Sequence, residues 1–185
     1  MKASTYKLLV IIFSMIILIG GSLLLYRHLA AEVAPQSGRA DPTEQSTTLA
    51  PDFTVQDSSD GVWNLSDFRG SPVVLNFWSS HCNPCKQEMP VFRSAWEQYG
   101  DQVEFMMVNL TDGFNDTFES AMKLVTEEDY RFPVYFDTQG SAAAAFQVTG
   151  MPMTFFIDAR GSVVSFHMGA ISPEKLESGI QSILD

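Results

Sequence analysis

Asn76-Phe77-Trp78-Ser79-Ser80-His81-Cys82-Asn83-Pro84-Cys85-Lys86-Gln87-Glu88-Met89-Pro90 contains both cysteines of the 185-residue chain. Two patterns meet in it. Residues 73–78, Val-Val-Leu-Asn-Phe-Trp, are apolar, β-branched and aromatic, as in a strand buried on both faces, whereas residues 82–99 read as a helix. Two thiols so spaced at a strand-to-helix junction can cycle between dithiol and disulfide, while a zinc knuckle would need two further ligands. The attacking species in exchange is a thiolate, which a helix N-terminus favours through its unpaired N–H groups and its dipole. Cys82 is therefore the expected nucleophile. Cys85, one turn further in, is the expected resolving thiol for a mixed disulfide. The rival reading is a pair of inert core cysteines.

Around this stretch the hydrophobic period alternates. Residues 53–56 and 62–65, separated by the polar run Asp57-Ser58-Ser59-Asp60-Gly61, predict an N-terminal β-hairpin. Strands follow over 73–78, 103–109 and 134–136, with helices over 82–99 and 114–128 between them, an order that implies parallel βαβ units. A short helix over 141–146, strands over 154–158 and 163–168 joined by Ala159-Arg160-Gly161-Ser162, and a last helix capped by Ser172-Pro173-Glu174 complete the pattern. The fold class is α/β, a central mixed β-sheet flanked by helices.

The N-terminal region differs in kind. Residues 8–26 carry no charge and are dominated by Leu, Ile, Val, Phe and Met. At ~1.5 Å per residue they approach the ~30 Å of a bilayer core, so a single transmembrane helix is expected, with a cleaved signal peptide as the alternative. Residues 1–7 are then the cytoplasmic N-terminus. Lys2 and Lys7 face Arg27 and Arg39 across the span, so orientation is taken from the redox chemistry, which suits the extracytoplasmic side. Residues 27–50 form a flexible linker poor in large apolar residues, and 51–185 the folded domain. As a coil, the 32–50 part spans ~25 Å, enough to reach partners at the membrane face.

Charge narrows the partners. Setting aside Lys2, Lys7 and Arg27 leaves 8 basic and 22 acidic side chains over 32–185, a net charge of −14. Nucleic acid and anionic lipid surfaces are unsuited to such a domain. The composition, with 45% hydrophobic residues, supports a core.

The stretch from Asn76 to Pro90 resembles the active site of thioredoxin-like proteins. Its Asn-Phe-Trp opening and Glu-x-Pro ending, together with the hairpin and the anchor, are similar to the membrane-anchored ResA and TlpA group of thiol-disulfide oxidoreductases. Gly150-Met151-Pro152-Met153-Thr154-Phe155-Phe156-Ile157-Asp158 resembles that group's cis-proline loop and the strand after it. The resemblance covers about 51–185. It implies a cis bond before Pro152, a loop there that offers backbone groups to an extended partner segment, and a proton-handling role for Glu88 near the thiols. Plain readings stand beside these: a trans proline, and a solvated helix carboxylate at Glu88.

Two departures from the thioredoxin pattern matter. Asn76 stands where thioredoxin has a buried aspartate, which leaves Glu88 as the better proton carrier. His81 stands where a tryptophan usually precedes the first cysteine; protonated, it would favour the Cys82 thiolate, although a surface histidine without a role fits equally. Met106 and Met107 are expected in the core, and Met151 and Met153 beside the Pro152 loop. Pro90 is expected to kink its helix.

The resemblance implies an enzyme that reduces disulfides in partner proteins, apocytochrome c among them, and is itself re-reduced by a membrane electron donor. No cofactor or metal is implied. A disulfide-forming oxidase differs only in potential. A thioredoxin-fold peroxidase and a Sco-like copper-binding protein, with His167 as the histidine to consider, are the remaining alternatives.

Overall fold

In the computed structural model, residues 13–15, 18–22 and 48–184 are described. The chain divides into two units, Met1–Gln45 and Ser46–Asp185. In the first, residues 13–15 and 18–22 are helical. Among the described residues no helix is long and apolar enough to cross a membrane. Residues 1–7, most of the anchor expected over 8–26 and the linker as far as 47 lie outside the described residues.

The second unit runs β1 (Thr48–Leu49), β2 (Thr54–Asp57), β3 (Val62–Asn64), a 3-10 turn (Leu65–Phe68), β4 (Val73–Trp78), α1 (Asn83–Tyr99), β5 (Glu104–Asn109), α2 (Phe118–Glu127), β6 (Val134–Phe136), α3 (Ser141–Ala145), β7 (Met153–Ile157), β8 (Ser162–Met168) and α4 (Pro173–Leu184). The strands form one sheet in the order β1-β8-β7-β4-β5-β6-β2-β3. Pairs β4–β5 and β5–β6 are parallel, β4–β7 and β7–β8 antiparallel, so the sheet is mixed. β4 lies inside it, and all six of its residues are buried.

Alternation along β4 sorts the core into two layers. Val74 and Trp78 face a cluster that includes Cys85, Met89 and Phe92 of α1 and Leu176 and Ile180 of α4. Val73, Leu75 and Phe77 face the opposite cluster, with Ala142 of α3 and Phe146. Met106 and Met107 divide between the layers, and both are fully buried. Asn76, sharing its face with Val74 and Trp78, therefore points at α1. That parity sets up the site.

Several boundaries differ from the sequence reading, each for a local reason. The sheet begins at Thr48 rather than after residue 50, because β1 pairs with β8 and Ala50 donates to the Gly161 carbonyl at 2.8 Å. Helix α2 starts at Phe118, not at 114, because Asp112 accepts from the N–H groups of Phe114 and Asn115 and holds a turn there. Helix α1 begins at Asn83 with Cys82 as its N-cap. It runs on through Pro90, which offers no N–H to the Lys86 carbonyl.

Candidate active site

Strand β4 ends at Trp78, and Ser79, Ser80 and His81 carry the chain to Cys82 at the start of α1. The turn is closed by Cys82 N–H donating to the Ser79 carbonyl at 3.1 Å. Cys82 and Cys85 are disulfide-bonded, with Cα atoms 5.3 Å apart. The Cys85 N–H points at Cys82 Sγ, 3.2 Å away, so the first turn of the helix already offers this sulfur a donor. Cys82 is partly exposed and Cys85 fully buried. That asymmetry separates an attacking sulfur, reachable by a partner, from a resolving one that is not.

Glu88 lies one turn beyond Cys85 on the same helical face and is 2% exposed. The solvated reading of this residue does not hold. Its Oε1 accepts from Asn76 Nδ2 and its Oε2 from the Ile171 N–H, both at 2.9 Å. Burial penalises the charge more than these two bonds favour it, so the carboxyl is pushed up to about 7. Asn76 also donates to Thr154 Oγ1 at 3.1 Å, a partner set opposite it by the β4–β7 register. The remaining Asn76 oxygen, Oδ1, is buried without a partner. A carboxyl that titrates near neutrality under a buried cysteine can take up and return a proton at working pH.

The Met151–Pro152 peptide bond is cis. Because β7 runs antiparallel to β4 from Met153 opposite Phe77, Pro152 sits at the sheet end from which the Cys82 loop departs. Its carbonyl accepts from Gly169 N–H at 2.9 Å. Met151 packs, with Cys82, against the cluster that contains Cys85. The fold thus brings all four expected site residues, Cys82, Cys85, Glu88 and Pro152, to one end of the sheet.

Asp116 was not visible in the sequence as part of this region. It is 1% exposed, and its Oδ2 accepts from Ser80 N–H at 2.5 Å and Asn109 Nδ2 at 2.8 Å. Oδ1 accepts from Ser80 Oγ at 2.8 Å and Thr117 N–H at 2.9 Å. Burial opposes the charge, but the hydrogen bonds outweigh it and hold the carboxyl below the usual carboxylate range. Asp116 thereby ties the turn before Cys82 to the end of β5 and the start of α2. The only sequence hint was its place among turn-forming residues after a strand.

His167 stands on β8, its Nε2 3.3 Å from the Ala170 carbonyl oxygen. Among the described residues no group of three or more His, Cys, Asp or Glu side chains is placed to hold a metal ion.

A partly exposed cysteine at a helix N-terminus, a buried partner thiol one turn on and a mixed sheet with flanking helices define a thioredoxin-like thiol-disulfide oxidoreductase. Residues 47–166 match the model of the AhpC/TSA family, and the chain belongs to that family. It is 35% identical over 137 residues to the thiol-disulfide oxidoreductase ResA of Geobacillus kaustophilus (strain HTA426), covering 74% of this chain and 76% of that protein. It is 31% identical over 134 residues to the thioredoxin-like protein YneN of Bacillus subtilis (strain 168), covering 72% and 77%. Among solved structures, the thiol:disulfide interchange protein DsbE of Chlorobium tepidum superposes with a TM-score of 0.67 at 34% identity, over 75% of this chain and 97% of that one.

Proposed function

We propose that this chain is a disulfide reductase tethered by residues 8–26 to the outer side of the cytoplasmic membrane. It reduces disulfides in partner proteins, apocytochrome c among them, and is re-reduced by a membrane electron donor. The observation that carries the reading is the buried Glu88 carboxyl, titrating at about 7, one turn beneath the buried Cys85. A resolving thiol out of contact with water needs a nearby base to become a thiolate, and Glu88 is that base. The uncharged run over 8–26 supports the anchor, and the chemistry of a persistent disulfide cycle supports the extracytoplasmic side.

The cycle follows from these positions. The Cys82 thiolate attacks a partner disulfide and forms a mixed disulfide. Cys85 then loses its proton to Glu88 and attacks Cys82 Sγ, releasing the reduced partner and leaving the Cys82–Cys85 disulfide. The loop at Pro152 lies beside this exchange and suits an extended partner segment docking by its backbone.

Equilibrating the full chain with dithiol and glutathione buffers, and reading Cys82 and Cys85 by thiol labelling, tests the direction. A potential near or below thioredoxin's ~−270 mV is the expected result, and one near ~−120 mV makes the protein an oxidant and overturns the proposal.

A further inference from the structure

Glu88 accounts for the proton of Cys85, on the inner side of the disulfide. Exchange also has an outer side. When a thiolate displaces a sulfur from a partner's disulfide, the departing sulfur carries the electron pair and needs a proton to become a thiol. Glu88, 2% exposed and capped by Asn76 and Ile171, cannot reach a sulfur that leaves into solvent.

His81 can reach it. Its side chain is 66% exposed, it precedes Cys82 directly, and its Nδ1 lies 3.4 Å from Asp116 Oδ1, whose own side chain is fully buried. The Asp116 carboxylate is fixed independently of the imidazole by donors from Ser80, Asn109 and Thr117. With Nδ1 3.4 Å from that carboxylate, the other ring nitrogen, Nε2, is left for a partner. Among the described residues Asp116 is the only carboxylate paired with His81. A nucleophile, an adjacent imidazole and a buried carboxylate orienting that imidazole form the general pattern of an oriented acid-base group.

We propose that His81, oriented by Asp116, is a second acid-base group of the site and gives its proton to the partner's leaving sulfur. The inference rests on the reductase reading. In the step, the Cys82 thiolate bonds to one sulfur of the partner's disulfide, the partner's S–S bond breaks, and the electron pair leaves on the other sulfur. The His81 imidazolium transfers its Nε2 proton to that sulfur, yielding a thiol and a neutral imidazole that regains a proton from water. His81 is catalytic in this step. Asp116 is a positioning residue and stays ionised.

The test compares two small disulfides reacting with the reduced full chain. Glutathione disulfide releases an alkyl thiolate that gains from a proton, whereas dithiobis(nitrobenzoate) releases an aryl thiolate that leaves readily without one. His81→Gln, a change at an exposed side chain, is expected to lower the alkyl rate about tenfold. The aryl rate falls far less, so the ratio of the two drops. In Asp116→Asn, which leaves the imidazole without the carboxylate that orients it, the ratio drops in the same direction, whereas a purely structural role for Asp116 would lower both rates alike and leave the ratio unchanged. Equal losses on both disulfides in His81→Gln would mean that His81 acts only through the Cys82 thiolate or the loop, and would overturn the proposal. Failure of the reductase reading looks different: the potential of the Cys82–Cys85 pair would be that of an oxidant while the alkyl-to-aryl ratio still fell in His81→Gln.

Discussion

At the scale of single residues, Glu88 and Asn76 decide how the site handles its inner proton. Both carboxyl oxygens of Glu88 accept hydrogen bonds, which favour the charged form, yet burial prevails and the group titrates at about 7. The unpartnered Asn76 Oδ1 fits this balance: turning the amide over would present that oxygen to a protonated Glu88. Glu88→Gln keeps the shape and removes the base. Resolution of the mixed disulfide should slow by at least about tenfold, and its rate should lose the rise with pH through neutrality. Rapid-quench trapping of the mixed disulfide reads this directly, and an unchanged pH profile would exclude Glu88 as the base. The cysteines were legible in the sequence because their chemistry is local, three positions apart at a strand-to-helix junction. The state of Glu88 was not, since it depends first on burial in the assembled fold and then on hydrogen bonds such as that from Ile171, 83 positions away. Asp116 was hidden for the same reason, reaching the Cys82 loop across 36 positions.

At the scale of elements, the strands and helices of the central sheet were legible from their period, and their order implied the parallel pairs correctly. What escaped was structure held by partners rather than by pattern. β1 is two residues long, exposed and polar in part, and exists because β8 offers an edge. Helix α4 gives a case where packing opposes propensity. Gly179 lies fully inside it, against the ring of Phe156 on β7, and an added Cβ there would run into that ring. Alanine is better than glycine in a helix by ~1 kcal/mol, but overpacking a close contact costs ~1–3 kcal/mol. The contact should win. Gly179→Ala is therefore expected to lower stability by about 1 kcal/mol or more in urea denaturation, against a gain of similar size if the helix stood alone. A stabilised variant would show that α4 can move off the sheet at no cost.

For the whole molecule, the opposed acids set how stability follows pH. Glu88 has its carboxyl raised from 4.5 to about 7 in the fold, so its contribution is fully present below the unfolded value and is lost as pH rises through the folded one. The loss amounts to ~3 kcal/mol as an upper figure. Asp116 and Asp158 act oppositely: both are lowered from 3.8, so what they contribute is present above that value and lost in stronger acid. The net charge of −11 adds repulsion that grows as the remaining acids ionise. Stability should thus peak on the acid side of neutrality and decline between pH 5 and 8. Urea midpoints followed by the fluorescence of Trp63, Trp78 and Trp96 should fall across that range in the unsubstituted protein. In Glu88→Gln the midpoint should fall less steeply, leaving the variant the more stable of the two at pH 8, because the amide carries no charge to bury. Parallel curves for the two proteins would mean that Glu88 does not change its protonation there, and the proton step assigned to it in the exchange cycle would fail together with the stability argument.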